Sequence, residues 1–224
     1  MQIELTPDGI VLWQRGIVVI NATLVFTWVA MGALVVGSWL ATRRLRVAPP
    51  LNRRQMFLEA LVSFTDAQIS EVMNQKATRY LPFLGTLFMF IATMNLLSII
   101  PGYRSPTGSL STTAALATVV FFAVPYFGIR SQGAGGYFQQ YLRPSIFMLP
   151  FNIIGELSRT LALAVRLFGN IMSGEMIVAI LLLIVPLFFP IIMQALGLLV
   201  GVIQAYIFAV LAAVFIASGT SQST

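Results

Sequence analysis

Residues 156–175 read ELSRTLALAVRLFGNIMSGE, and this stretch decides how the rest of the chain is interpreted. It holds two arginines and two glutamates within a segment that is otherwise apolar enough to lie in lipid. A charged group at the centre of a bilayer costs roughly 3 kcal/mol or more, so such groups usually face protein or a water-filled path. The stretch therefore indicates ion handling inside a membrane.

The composition predicts an integral membrane protein. Hydrophobic residues make up 58% of the 224 and charged residues only 9%, and the mean hydropathy is +0.90. No long polar stretch forms a second core, so we expect one membrane domain over residues 1–224. His and Cys are both absent, which excludes thiol nucleophiles and imidazole or thiolate metal sites. We therefore expect no cofactor, no metal and no catalysis by the chain alone.

The hydropathy pattern predicts an all-α polytopic fold with about five membrane-embedded helices. Apolar runs at residues 17–41, 81–100 and 110–127 are each long enough to cross a bilayer. Arginines cluster over residues 43–54, against one arginine before the first run. By the positive-inside rule the N-terminus is outside and the C-terminus cytoplasmic. The net charge of +6 thus reflects topology, and we expect no nucleic-acid partner.

Two further segments complete the predicted fold. Residues 52–75 form an amphipathic pattern that predicts a helix on the membrane surface, either a docking face for a partner or a simple anchor. The polar run at residues 104–109 predicts an external loop. Residues 145–217 lack proline between Pro150 and Pro186, which predicts a helix of roughly 52 Å followed by a second long helix. Because the hydrocarbon core is only about 30 Å thick, this hairpin is expected to be steeply tilted.

The polar residues of the first long helix share one face. On a helical wheel the following residues fall within an arc of about 100°: Asn152, Glu156, Arg159, Arg166, Asn170 and Ser173. Glu175 falls on the opposite face. Glu156 and Arg159 stand three positions apart and can neutralise each other. Arg166 has no acid three or four positions away, so it needs a carboxylate from a partner.

Four motifs, in order, resemble one known family. They are NLLSIIP at residues 95–101, ELSR at 156–159, RLFGN at 166–170 with Gly-Glu at 174–175, and QAYIF at 204–208. Over roughly residues 50–217 the chain resembles subunit a, the membrane stator subunit of F-type ATP synthases. The resemblance implies two offset ion half-channels beside a rotating c ring. It also implies peripheral-stalk b subunits and the lipid bilayer as partners, in a bacterial inner membrane.

The resemblance also implies roles for individual residues. Arg166 would be the essential arginine that forces ion release from the ring carboxylate and prevents leakage. Glu175 would lie in the external half-channel, with Asn95 and Ser98 as lining groups. Glu156 would lie towards the cytoplasmic half-channel.

Across the predicted hairpin, Gln204 would hold Arg166 by hydrogen bonding. Asn170 would serve either the channel or a structural bond between helices. Many bacterial members carry a histidine at the place of Gly197, so any relay through that ring is absent here. Gly197 and Gly201 form a small-xxx-small pair that predicts close helix packing.

Two alternatives remain open from the sequence. The coupling ion is expected to be the proton, with the same role in a sodium-pumping ATPase as the alternative. From another class, the chain would be an ion-coupled secondary transporter with Arg166 as the anion-binding residue. That class predicts an internal repeat, and no second copy of the Arg166 region occurs in the sequence.

Overall fold

The computed structural model describes residues 11–15, 18–43, 53–73, 79–100, 102–142, 148–185 and 189–220. Its elements in chain order are β1 (Val11–Arg15), β2 (Val18–Asn21), α1 (Ala22–Thr42), α2 (Arg53–Met73), α3 (Leu81–Leu96), α4 (Leu110–Leu142), α5 (Met148–Ile184) and α6 (Phe189–Thr220). Short 3-10 turns lie at Leu97–Ile99 and Pro106–Gly108.

The all-α polytopic prediction is confirmed. In the described ranges, five helices are long and apolar enough to cross a membrane: α1, α3, α4, α5 and α6. The structure adds a short antiparallel pairing of β1 with β2 just before α1. The first helix thus begins at Ala22, because the β-branched run Val18–Ile20 pairs as a strand. Two arginines of the cluster used for orientation, Arg44 and Arg46, lie outside the described residues.

Helix α4 is longer than its apolar run suggested. The sequence predicted a third span ending at residue 127 and then a turn near Gly133. In the structure the helical backbone continues to Leu142 and is interrupted only at Gly133, whose φ is +79°. That conformation is available to glycine at little cost, whereas a side chain there would clash with the backbone. Gly133 therefore redirects the chain within a longer helical segment.

The hairpin of α5 and α6 organises the molecule. The two helices contain 37 and 32 residues, so at 1.5 Å per residue they are about 55 and 48 Å long. Helix α6 packs against α2, α3, α4 and α5. Its fully buried residues include Ala205, Ala212 and Ala213, beside Phe208 and Ile216. The small residues let neighbouring backbones approach closely, as is typical of helix packing in membranes.

Helix α2 is attached to this hairpin. The hydroxyl of Tyr206 on α6 donates a hydrogen bond to the side-chain amide oxygen of Gln68 on α2, and Ile69 is buried beside it. The ends of the predicted range 52–75 lie outside the described residues, as do several side chains of its apolar stripe. A surface position for α2 stays a prediction.

The predicted external loop at residues 104–109 is largely buried. Ser105, Thr107 and Ser109 expose at most 2% of their surface. A buried hydroxyl must find a hydrogen-bond partner to avoid a desolvation cost. Thr107 finds one on α3, where its Oγ1 donates to Oδ1 of Asn95 over 2.6 Å. Ser109 lies 2.7 Å from the hydroxyl of Ser111 at the start of α4. The segment is therefore part of the core between α3 and α5.

Candidate functional site

One large cavity surrounds the carboxylate of Glu175, and we call it the Glu175 cavity. Its volume is about 580 Å³. It lies between the end of α3, the segment after it, the C-terminal part of α5 and the N-terminal part of α6. Its polar lining consists of Asn95, Ser98, Tyr103, Arg104, Ser105, Asn170, Ser173, Glu175 and Gln194. Among the described residues that line it, Arg104 and Glu175 are the only charged ones.

A second cavity surrounds Glu156, and we call it the Glu156 cavity. Its volume is about 400 Å³. It lies between α4, the N-terminal part of α5 and the C-terminal end of α6. The polar lining consists of Asn152, Glu156, Arg159, Thr160 and Ser218. The two cavities therefore lie at opposite ends of the α5–α6 hairpin. Glu156 and Arg159, predicted as a pair, line the same cavity.

Arg166 lies on α5 between the two cavities and lines neither. Counted along the helix, it is about 15 Å from Glu156 and about 13 Å from Glu175. On the inward side of the same turn, Leu163 and Leu167 are fully buried. The guanidinium side chain is exposed and, within the ranges that the structure describes, makes no hydrogen bond or ion pair. The lack of an ion pair agrees with the sequence, in which no acidic residue lies three or four positions from Arg166.

Outside the polar face that holds Arg166, the surface of α5 is apolar and also exposed. Leu157, Leu161 and Val165, each at least half exposed, follow at helical spacing on the side of α5 turned away from Arg166. On α6 the residues Leu199 and Ile203 are exposed in the same way. Placing an arginine side chain against hydrocarbon costs several kcal/mol of free energy. An exposed, unpaired arginine on an apolar membrane helix is therefore a group that requires a partner surface.

Gln204 is not bonded to Arg166, contrary to the sequence-based expectation. Its Oε1 instead accepts a long, 3.4 Å hydrogen bond from Nδ2 of Asn170, one helical turn beyond Arg166. Gln204 is 5% exposed, and its Nε2 has no hydrogen-bond partner among the described residues. The bond spans α5 and α6, but Asn170 also lines the Glu175 cavity, so both of its predicted roles stay predictions.

Asn95 lines the Glu175 cavity, but its polar atoms are already engaged. Its Nδ2 donates to the backbone carbonyl of Gly201 over 2.9 Å. Its Oδ1 accepts from Thr107 and lies 3.2 Å from the hydroxyl of Ser105. Asn95 thus joins α3, the buried segment and α6. Its role as a lining group of a half-channel stays a prediction.

The other predicted residues lie on the same cavity wall. Ser98 donates to the carbonyl of Asn95 over 2.6 Å, and the Ser98 carbonyl accepts from Nε2 of Gln194 over 3.2 Å. The two glycines of the predicted packing pair, Gly197 and Gly201, have different surroundings. A Cβ on Gly201 would come within 3.0 Å of the Cβ of Asn95, whereas one on Gly197 would meet nothing within 4 Å. Gly201 serves close packing, while Gly197 lines open space in the cavity.

Glu175 has neighbours that the sequence did not single out. Arg104 lies close enough to interact electrostatically with its carboxylate. A Cβ built on Gly108 would lie 3.4 Å from one carboxylate oxygen, so the carboxylate rests against that segment. The available signal was a single basic residue in a short connection between two apolar runs.

Tyr103 adds a neutral hydroxyl to the same cavity. Burial raises the pKa of its phenol to about 12, so the group stays protonated throughout the physiological range. Its hydroxyl has no hydrogen-bond partner in the part of the chain that the structure describes. The ring packs against Phe26 with the centroids 4.9 Å apart. Tyr103 therefore offers a free donor at the cavity wall.

These features are those of an integral membrane protein with charged groups inside its spans. Its described residues form five long apolar helices. A polar cavity lies at each end of the α5–α6 hairpin, and an exposed arginine lies between the two cavities. A family model described as ATP synthase A chain matches residues 24–217. The chain is 62% identical over 217 residues to "ATP synthase subunit a 2" of Acaryochloris marina (strain MBIC 11017), covering 97% of this chain and 93% of that protein.

Two further relatives agree. "ATP synthase subunit a" of Albidiferax ferrireducens (strain ATCC BAA-621 / DSM 15236 / T118) is 59% identical, covering 97% of this chain and 94% of the relative. "ATP synthase subunit a 1" of Chlorobaculum parvum (strain DSM 263 / NCIMB 8327) is 58% identical, covering 97% and 96%. The chain belongs to the ATP synthase subunit a family. It is an integral membrane component of the ATP synthase complex.

Proposed function

We propose that this chain is the ion-translocating stator subunit of a rotary ATP synthase, with Arg166 facing the carboxylates of a c ring. The observation that carries the proposal is Arg166 itself. It is exposed on the polar face of an otherwise apolar helix, without a partner in the described ranges, and stands between two polar cavities. A carboxylate on a neighbouring membrane subunit would supply the missing counter-charge.

The charge of Arg166 would drive ion release. Arginine stays protonated at any working pH, so its charge is permanent. A fixed cation within a few ångströms of a carboxylate favours the ionised form of that carboxylate. A ring site that arrives loaded with an ion would release it as it approaches Arg166. The chain itself performs no bond chemistry in this scheme.

The two cavities would act as half-channels that open on opposite sides of the membrane. The Glu175 cavity would be external and the Glu156 cavity cytoplasmic. An ion crossing directly between them would pass the guanidinium, where like charges repel strongly in a low dielectric. Ions would then cross only by riding the ring. Each unit charge moved through 100 mV contributes about 2.3 kcal/mol towards ATP synthesis in the attached soluble part.

The remaining parts of the proposal concern orientation and partners. The N-terminus would be outside and the C-terminus cytoplasmic, in a bacterial inner membrane. Helix α2, joined to α6 by Tyr206 and Gln68, would lie at the cytoplasmic surface. Its exposed Glu59, Ser63 and Glu71 would face the peripheral-stalk b subunits.

The coupling ion is proposed to be the proton, and a direct measurement separates it from sodium. ATP-driven pumping is followed in inverted membrane vesicles at fixed pH, with sodium varied from trace to millimolar amounts and the ionic strength held constant. Proton coupling predicts a rate independent of sodium. Stimulation by sodium that persists in the presence of a proton uncoupler would assign the chain to a sodium-pumping ATPase.

The central claim is tested by R166A in the assembled complex in its native membrane. We expect loss of both ATP-driven ion pumping and ion-driven ATP synthesis, while ATP hydrolysis by the detached soluble part survives. The matched control is R43A, since Arg43 lies at the end of α1 and stacks over Trp39. Retained coupling in R166A would refute the proposed role.

A further inference from the structure

The Glu175 cavity contains one cation that the proposed mechanism does not use. Arg104 lies in the segment between α3 and α4, outside the helices, and is half-buried. It shares the cavity with Glu175 and interacts with it electrostatically. Of the described residues on the lining, these two are the only charged ones.

The segment that carries Arg104 also contacts the carboxylate directly. Both oxygens of Glu175 lie within 3.5 Å of the place where a Cβ on Gly108 would stand. These are ordinary van der Waals distances, so the carboxylate lies beside the backbone at Gly108. The segment therefore lies beside Glu175 at Gly108 and also carries Arg104, which interacts with the carboxylate electrostatically.

The same segment is held rigidly. Ser105, the residue after Arg104, places its hydroxyl 3.2 Å from the carbonyl of Met94 and 3.2 Å from Oδ1 of Asn95. Thr107 bonds the same Oδ1, and Asn95 is tied to α6 through Gly201. A fixed backbone beside Arg104 limits where its guanidinium can reach. This geometry suits a group that fixes a charge in one place.

We propose that Arg104 is a positioning residue that holds the carboxylate of Glu175 against the Gly108 segment, as its resident counter-charge in the cavity. The proposal rests on the proposed function, because it takes Glu175 as a group on the ion path. An entering cation would displace the guanidinium from the carboxylate and would meet a carboxylate already in place. Without Arg104 the carboxylate would sample several rotamers in a wide cavity.

A double-mutant cycle tests this relation. ATP-driven pumping, normalised to ATP hydrolysis and to the amount of chain in the membrane, is compared for R104Q, E175Q and the double variant. R104Q should lower pumping roughly three- to tenfold, the effect of about 1 kcal/mol or slightly more in a partly screened pair. R104K, which keeps the charge, should restore most of the rate. R104Q should cause no further loss in the E175Q background.

Three results would overturn the proposal: unchanged pumping in R104Q, equal loss in R104K and R104Q, or the same fold-loss in the E175Q background. R43Q is the control for loss of an arginine charge elsewhere. Failure of the proposed function is distinguishable, because it shows as retained coupling in R166A. If instead R166A is uncoupled and the losses in R104Q and E175Q are additive, the proposed role of Arg104 is refuted and the proposed function is not.

A second measurement applies even where R104Q fails to assemble. The sequence contains no cysteine, so introduced pairs can be joined by a short bifunctional thiol reagent without background. R104C with E175C should be joined within one chain, whereas R104C with E156C, in the other cavity, should not. Equal yields for the two pairs would contradict the placement of Arg104 beside Glu175.

Discussion

The side-chain amide of Asn95 donates a 2.9 Å hydrogen bond to the backbone carbonyl of Gly201, and this bond joins α3 to α6. The two residues also touch sterically, since a Cβ on Gly201 would come within 3.0 Å of the Cβ of Asn95. A methyl group at position 201 would be tighter against Asn95 than ordinary van der Waals contact, so the Asn95 side chain would have to shift by a few tenths of an ångström. The wall of the Glu175 cavity therefore depends on one residue without a side chain.

Replacing Gly201 by alanine should destabilise the packing of α3 against α6. The added methyl group overpacks a buried contact, which costs roughly 1–3 kcal/mol. The measurement is the temperature at which the chain is lost from the detergent-solubilised complex. G197A serves as the matched control, because its Cβ would meet nothing within 4 Å. An equal decrease in both variants would show that the Asn95 contact is not the cause.

Removing the Thr107 hydroxyl should also weaken the complex, by a smaller amount. Valine has nearly the shape of threonine, but T107V deletes the 2.6 Å bond to Oδ1 of Asn95. The expected loss is about 1 kcal/mol. T118V is the control, since Thr118 is exposed and bonds only within its own helix, to the carbonyl of Ala114. A T107V complex as stable as the T118V complex would argue against a buried hydrogen-bond hub.

The helices and the isolation of Arg166 could be predicted from the sequence. They depend on the periodicity of apolar residues and on the free-energy cost of placing a charge in lipid. The apolar runs predicted five long helices, and the proline-free interval before Pro186 predicted the length of α5. The isolation of Arg166 also followed, since only residues three or four positions away can pair with it on a helix. Each of these inferences needs only the spacing of residues along one helix.

Features that depend on packing between segments did not follow. A polar run such as residues 104–109 is typical of an external loop. It can be buried because the hydroxyl groups of Ser105 and Thr107 bond to the side-chain amide oxygen of Asn95 on α3. The Arg104–Glu175 relation joins residues 71 positions apart in the numbering. Gln204 was placed opposite Arg166, but the register of α6 against α5 sets it beside Asn170. Sequence patterns on one helix do not determine such registers.

Neutralising Glu156 should slow ion transport without dismantling the complex. E156Q keeps the size of the side chain and removes the charge that the Glu156 cavity would offer to a passing cation. The carbonyl of Glu156, which accepts from Thr160 over 2.9 Å, is untouched. We expect ATP-driven pumping to fall several-fold, short of the complete loss in R166A. D66N, which removes a carboxylate on α2 away from both cavities, is the control. Full pumping in E156Q would remove this residue from the ion path.

The two cavities should be reachable by water from opposite sides of the membrane. Because the chain has no cysteine, single substitutions can be labelled with a membrane-impermeant maleimide in right-side-out and in inverted vesicles. S173C, in the Glu175 cavity, should react from the outside, and S218C, in the Glu156 cavity, from the cytoplasmic side. A212C, at a position with no exposed surface, should react only after denaturation.

The pattern of labelling separates two claims. If S173C and S218C react with the sides exchanged, the cavities are still two half-channels and only the orientation is reversed. If both react from the same side, the cavities form one aqueous space, and Arg166 would not separate two paths. Labelling of S218C that is lost when the c ring is present, but recovered when the ring is removed, would place that cavity at the interface with the ring. Reaction of S173C from outside and S218C from inside, in the assembled complex, is the result that two offset half-channels require.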